Sequence, residues 1–215
     1  PDSHYTAQNI TYDEFARPSY DLIVQGELVN RVSLGVTGEH NVYNSLAAIA
    51  VVMELGVGFE AIMAGLKNFS GTDRRFEKKG EIGGVTIIDD YAHHPQEIKA
   101  TLAAAKNYPH RKLWCVFQPH TYTRTKAFLD QFAQTLSAAD EVILADIYAA
   151  RETDTLGVSS LDIVERIERL GTKAHYIPSF DDIETFILEN CINGDVLITM
   201  GAGDIVKVGE KLLGR

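Results

Sequence analysis

The sequence predicts an α/β fold, with a largely parallel sheet and helices on both of its faces. Three observations carry this. From residue 85 onward, short runs rich in β-branched residues alternate with stretches whose apolar residues recur every three or four positions. Repeated βα units of this kind force parallel strands, because each strand returns to the sheet through a helix. The chain of 215 residues is 45% hydrophobic and 23% charged, enough apolar material for a sizeable core and too much for global disorder.

Residues 1–37 hold short β-like runs at 20–24 and 31–36, around turn residues Gly26 and Asn30. They read as the last strands of a sheet that begins earlier. Pro1 is not an initiator residue, so the chain is expected to be a fragment or a processed product. A helix is predicted over 41–55, stopped by Gly56. A second follows, with Phe59, Ile62, Met63, Leu66 and Phe69 at core-facing spacing. Ser70-Gly71-Thr72-Asp73 reads as a linker, which divides the chain into residues 1–71 and 72–215.

Beyond the linker a hairpin is predicted, 76–82 turning at Gly83-Gly84 into a strand over 85–88. Pro95 opens a helix with Ile98, Leu102 and Ala105 on one face, since the first turn needs no backbone N–H. Then come a strand at 112–117 and a helix at 123–136, with Phe128, Leu129, Phe132 and Leu136 inward. A strand at 141–147 leads to a helix at 160–170. A strand at 173–177 leads to a helix at 180–191 capped by Ser179. The strand 195–200 and the helix 204–213 end the series.

The stretch Asp89-Asp90-Tyr91-Ala92-His93-His94-Pro95 stands between a strand and a helix. In open α/β sheets, ligands sit beyond the carboxyl ends of strands at such junctions. Two carboxylates, a phenol and two imidazoles there suit chemistry more than folding, although Asp90 or His94 could cap the helix. Gln118-Pro119-His120-Thr121-Tyr122-Thr123-Arg124 occupies the equivalent junction one unit later, which puts His120 and Arg124 on the same sheet edge as Tyr91 and His93. Arg124 suits a substrate carboxylate, with imidazole and phenol near its amine.

Two further clusters are polar. In Gly38-Glu39-His40-Asn41-Val42-Tyr43-Asn44, His40, Asn41 and Asn44 stack on one helical face. A pair of amides can read the donor and acceptor edge of a purine; the simpler reading is N-capping by Asn41. Arg74-Arg75-Phe76-Glu77 offers two guanidiniums at the domain boundary, for the phosphates of a nucleotide bridging two domains or for a surface salt bridge to Glu77 or Asp73.

A formal net charge of −10 argues against a general nucleic-acid or anionic-membrane binder. The longest apolar run, 46–53, is too short to span a bilayer, and no signal peptide is expected. Cys115 and Cys191 lack metal-ligand spacing and read as reduced thiols of a cytoplasmic protein. Adjacent His93 and His94 cannot both face one zinc, and no metal site is expected. Gly201-Ala202-Gly203 lacks the third glycine of a dinucleotide loop.

Together, Gly-Glu-His-Asn-Val-Tyr-Asn at 38–44, Arg-Arg-Phe-Glu at 74–77, Asp-Asp-Tyr-Ala-His-His-Pro at 89–95 and Phe-Gln-Pro-His at 117–120 with Arg124 resemble the Mur ligase family. The resemblance covers most of the chain in the family's order. It implies the tail of a central ATPase domain followed by a Rossmann-like ligase domain. It also implies an ATP- and Mg2+-dependent reaction of peptidoglycan precursor synthesis, in which UDP-N-acetylmuramate is activated as an acyl phosphate and joined to L-alanine. The recycling reaction, which takes a ready-made tripeptide instead, is the alternative within the family. A stand-alone nucleotide-binding module without turnover is the alternative outside it.

Carried over by residue, His40, Asn41 and Asn44 would hold the adenine, and Arg75 and Asp90 would contact the nucleotide. Tyr91, His93, His120 and Arg124 would line the amino-acid site, with His93, His120 and Arg124 catalytic. Thr121 departs from relatives that carry Arg beside the His, so the carboxylate clamp is expected to be single or supplied differently. No Gly-x-x-x-x-Gly-Lys-Ser/Thr loop occurs, the magnesium ligands are expected upstream, and the chain alone should not hydrolyse ATP.

Overall fold

The computed structural model describes residues 3–215. The chain divides into two compact units: one comprises the chain up to Thr72 together with Ala103–Pro109, the other Asp73–Leu102 with His110–Arg215.

The first unit contains a three-stranded antiparallel sheet, β1 (Tyr5–Tyr12), β2 (Pro18–Val24) and β3 (Glu27–Ser33), in that order. Helices α1 (Glu39–Glu54) and α2 (Phe59–Asn68) follow. Alternate residues Tyr20, Leu22 and Val32 are buried with Val42, Leu46 and Ile49 of α1 and Ile62 of α2. Strand β1 was not predicted. It lacks apolar alternation, and a bulge at Asn9 (φ 51°) resets its register between Gln8 and Thr11.

The second unit is built on a six-stranded sheet: β4 (Glu77–Ile82), β5 (Val85–Asp90), β6 (Leu113–Phe117), β7 (Glu141–Leu144), β8 (Lys173–Tyr176) and β9 (Val196–Met200). Their spatial order is β4-β5-β9-β6-β7-β8, with β4 antiparallel to β5 and every other pairing parallel. The hairpin at Gly83-Gly84 forms as predicted, both glycines taking the positive φ that its turn requires. Helices α3 (Pro95–Lys106), α4 (Tyr122–Ala127), α5 (Leu129–Leu136), α6 (Ser160–Arg169), α7 (Phe180–Asn190) and α8 (Val206–Leu212) connect or follow the strands.

One face of the sheet, with Ile87, Trp114, Val116, Ile143 and Leu197, packs against Ile183 and Ile187 of α7 and Val208 and Leu212 of α8. The alternate residues Ile88, Cys115, Phe117, Val142 and Leu144 are also buried, with Phe117 meeting Phe132 of α5 at 5.5 Å between ring centroids. A sheet buried on both faces explains why its strands read as continuous apolar runs.

In the first unit β3 starts at Glu27 rather than 31, because the chain turns at Gly26 and not at Asn30, which pairs with Leu22 inside the strand. Three elements of the second unit also differ from the sequence reading, each at the edge that carries the polar loops. The helix expected at 123–136 breaks at Phe128 (φ −120°, ψ 19°). Thr125 Oγ1 donates to the Thr121 carbonyl, a back-bond that competes with the helix ladder. Strand β7 ends at Leu144 rather than 147, and the chain then turns so that Tyr148 N donates to the Pro119 carbonyl and Tyr148 O accepts from Thr121 N. The last helix starts at Val206, after a turn over the glycine stretch.

Candidate active site

Parallel register fixes where the loops emerge. Asp90 and Phe117 both pair with Met200, and Phe117 pairs with Leu144, so β5, β9, β6 and β7 end at one level. The loops that follow them start with the ladder still running: Gly201 N donates to Asp90 O, Gln118 N to Met200 O and Ala145 N to Phe117 O, each at 3.0 Å.

On this edge the structure brings together Tyr91, His93, His120 and Arg124. The rings of Tyr91 and His93 lie 5.5 Å apart edge-on, and those of His93 and His120 5.8 Å apart. Arg124 Nη1 is 3.3 Å from His120 Nδ1. His94 points elsewhere, its ring 5.0 Å from that of Phe128, so only one of the adjacent histidines joins the group. Burial, together with Arg124 and His93 nearby, pushes the His120 imidazole below its ordinary value. That favours the neutral ring, as expected for an imidazole beside a guanidinium.

Residues that the sequence reading passed over hold this group in place. Tyr148 stacks on His120 with 5.6 Å between centroids and 27° between planes. Glu152 accepts from Thr123 N at 3.0 Å and from the Thr123 hydroxyl, fastening the first turn of α4. Thr121 has φ 67° and ψ 144°, a conformation that β-branched residues avoid, and its side chain caps α4 at Arg124 N. The strain is held by the pairing with Tyr148 on one side and the capped helix on the other. Thr121 therefore serves the backbone and supplies no second guanidinium. Gly203 is required nearby: a Cβ there would lie 2.4 Å from Gln118 Oε1 and 2.9 Å from the Tyr148 ring.

Arg74 and Asp89 form a pair under Tyr91. Arg74 Nε donates to Asp89 Oδ2 at 2.9 Å and Nη2 to the Gly201 carbonyl at 2.7 Å, and the guanidinium carbon is 4.8 Å from the centre of the Tyr91 ring. Asp89 is fully buried and accepts a second bond, from Thr199 Oγ1, at 2.7 Å. This corrects the surface salt bridge expected for the arginine pair: Arg74 ties the ends of β5 and β9 together, while Glu77 accepts only its backbone N–H. Arg75 is exposed, with its guanidinium carbon 5.7 Å from the Tyr91 ring centre. Asp90 is 5% exposed, with Oδ1 accepting from Ala92 N at 2.7 Å and Oδ2 from Phe76 N at 2.9 Å. It brackets the turn after β5; at the start of α3 Glu97 accepts the N–H groups of His93 and His94, and His94 Nδ1 accepts from Gln96 N at 3.3 Å, so His94 caps the helix while Asp90 does not.

In the first unit, α1 begins at Glu39 with Gly38 as its cap, so Asn41 does not cap it. Asn41 Nδ2 donates to the Thr37 carbonyl at 2.8 Å, and its Oδ1 accepts from Asn44 Nδ2 at 3.0 Å. Asn44 is exposed, with its carbonyl oxygen and second N–H left for a ligand, a donor and acceptor set that fits a purine edge. His40 is exposed beside it. Among the described residues, no group of three or more His, Cys, Asp or Glu side chains is placed to hold a metal ion. No helix among them is long and apolar enough to cross a membrane.

A family model described as the Mur ligase glutamate ligase domain matches residues 74–203, the span that carries this sheet edge. The chain belongs to the Mur ligase family. Among curated Mur ligases, the UDP-N-acetylmuramate--L-alanine ligase of Lachnospira eligens is 62% identical over 98% of this chain and 46% of its own length. The crystal structure of the UDP-N-acetylmuramate-alanine ligase of Thermotoga maritima superposes with a TM-score of 0.84 at 28% identity, covering 99% of this chain and 45% of that one. A murein peptide ligase of Psychrobacter arcticus gives 0.66 at 26% identity, covering 99% and 44%. The chain thus spans about half the length of the Mur ligases it matches.

Proposed function

We propose that this chain is the amino-acid-binding portion of a ligase that joins L-alanine to UDP-N-acetylmuramate with ATP, forming ADP and phosphate in peptidoglycan precursor synthesis. The observation that carries the reading is the Arg124–His120 contact beside His93 and Tyr91, on a chain 62% identical to a relative of that name. Arg124 would take the carboxylate of L-alanine as a two-pronged donor. Tyr91, His93 and His120 would surround its amine, and the attack would fall on the sugar's carboxyl group, activated as an acyl phosphate.

His40, Asn41 and Asn44 would read the adenine of ATP, with Asn41 steadying Asn44. In the second unit the exposed Arg75 would offer its guanidinium to a nucleotide phosphate, and Asp90, with both oxygens on backbone N–H groups, would hold the turn beside it. ATP with Mg2+ supplies the activating phosphoryl group; we assign Mg2+ to no residue of this chain. The reaction belongs in the cytoplasm, where ATP and the UDP-sugar are found, and the two free thiols accord with that.

The test is turnover by the full-length protein, supplied with ATP, UDP-N-acetylmuramate and either L-alanine or the tripeptide. Phosphate release that depends on L-alanine supports the reading. Release that depends on tripeptide alone would assign the recycling reaction instead, and nucleotide binding without release would leave a binding module.

A further inference from the structure

The two imidazoles at the site differ in what faces their Nδ1 atoms. His93 Nδ1 is 2.9 Å from the Tyr91 carbonyl and 3.4 Å from Glu97 Oε2. A carbonyl and a carboxylate only accept, so this nitrogen carries the proton. His120 Nδ1 faces Arg124 Nη1 at 3.3 Å. A guanidinium only donates, so here Nδ1 is the bare nitrogen and the proton sits on Nε2. The rings are therefore opposite tautomers 5.8 Å apart: His93 presents a bare Nε2, and His120 presents an N–H.

Glu97 is fixed for this purpose by the turn it closes. Its Oε2 accepts from His93 N at 3.0 Å and from His94 N at 3.2 Å, one turn into α3, which brings the same oxygen under the imidazole. Partial burial raises its carboxyl, but the backbone donors of His93 and His94, with the charges of His93 and Arg75, hold it below the ordinary glutamate range.

We infer that Glu97 is a positioning residue that directs His93 Nε2 to act as the base for the incoming amino group, while the His120 Nε2–H serves as a donor. This rests on the amino-acid ligase reading above. The ammonium gives one proton to His93 Nε2, and the freed amine forms the C–N bond at the acyl carbon. The C–O bond to phosphate breaks, and the amine's second proton leaves with the phosphate. His120 Nε2–H is placed to donate to oxygen, on the acyl group or on the substrate carboxylate that Arg124 holds. Around His93 the charged groups are Glu97 at 3.4 Å and the His120 ring at 5.8 Å, with Tyr91 edge-on; Arg124 and Glu152 act on His120, and Arg75 acts on Glu97.

The test compares Glu97→Gln, Glu97→Asp and His93→Gln with wild type in the full-length ligase. Glu97→Gln keeps an oxygen for the two backbone N–H groups and removes the charge. It should leave the KM for ATP and the melting temperature near wild type while lowering kcat/KM for L-alanine about tenfold. It should also move the acid limb of that pH profile to lower pH, because the imidazolium loses its counter-charge. Glu97→Asp should return the limb toward wild type. His93→Gln should cost about a hundredfold or more and lose the limb. Wild-type L-alanine kinetics and an unmoved limb in Glu97→Gln would overturn the inference, as would a parallel loss in the ATP constant and melting temperature, the mark of a helix cap alone. Wild-type protein that does not ligate L-alanine would overturn the ligase reading itself, before any variant is made.

Discussion

Glu141 offers the sharpest test of the packing argument. It opens β7 at the sheet edge opposite the site, 1% exposed, with Lys112 Nζ and Lys173 Nζ each at 2.5 Å and His175 Nε2 at 3.0 Å. The lysines and His175 hold its carboxyl at about 2 against the ordinary 4.5. At roughly 1.4 kcal/mol per pH unit, that difference corresponds to roughly 3 kcal/mol of folding free energy. Lys173 is 63% exposed and Lys112 33%, so water competes for both and about 2 kcal/mol is the better expectation. Glu141→Gln keeps the volume and removes the charge, and should lower the unfolding free energy by that amount at pH 7. The folded value is depressed, so the stabilisation is complete above about 4.5 and disappears as pH falls toward about 2. The gap between wild type and variant should close over that window. Urea unfolding can be followed through the chain's single tryptophan, Trp114, whose ring lies 4.7 Å from Lys112 Nζ. A loss below about 0.5 kcal/mol at pH 7, or a gap that does not change with pH, would refute the reasoning.

Three further outcomes follow from the site. Asn44→Ala in the full-length ligase should raise the KM for ATP roughly tenfold and leave that for L-alanine nearly unchanged, whereas Asn41→Ala should do the same more weakly by loosening Asn44; steady-state kinetics in each substrate decides. Arg124→Lys should weaken L-alanine use substantially and Arg124→Ala nearly abolish it, while ADP formed without L-alanine survives both better; wild-type L-alanine kinetics in either would displace the site. Gly203→Ala should drive Tyr148 off His120 and cost about 1–3 kcal/mol in stability, read by thermal melting, with loss of L-alanine turnover read alongside.

Much of this was legible because strand polarity is a property of sequence order. Once 85–88 and 112–117 are read as strands joined by a helix, their loops must leave the sheet on one side, and Tyr91, His93, His120 and Arg124 come together without any knowledge of side-chain contacts. What stayed hidden depends on register and on backbone conformation. Arg74 meets Asp89 because the hairpin aligns Glu77 with Asp89, a pairing set by a bulge between Lys78 and Gly80 that no local pattern announces. Tyr148 looked like the residue after a longer strand; only the early end of β7 turns it onto His120. Glu97 was within reach, since an acid three residues after His94 at a helix start is a recognisable capping arrangement. Capping by Asn41 stood as the simpler alternative to its adenine role because glycine, which takes the cap position at Gly38, leaves no side-chain signal.

Strand β9 lies between β5 and β6, although it is the last strand of the chain. During synthesis, then, β5 has only its hairpin partner and β6 through β8 form a separate patch until residues 196–200 leave the ribosome. Closing the sheet joins segments more than a hundred positions apart in sequence, as in the Thr199–Asp89 bond, and such distant pairings are slow to form. Histidines 93 and 120 are fastened to strands that share no edge without β9. A chain lacking the final strand therefore has every side chain of the proposed amino-acid site without the sheet edge that brings them together, and the arrangement is gained in one step with β9.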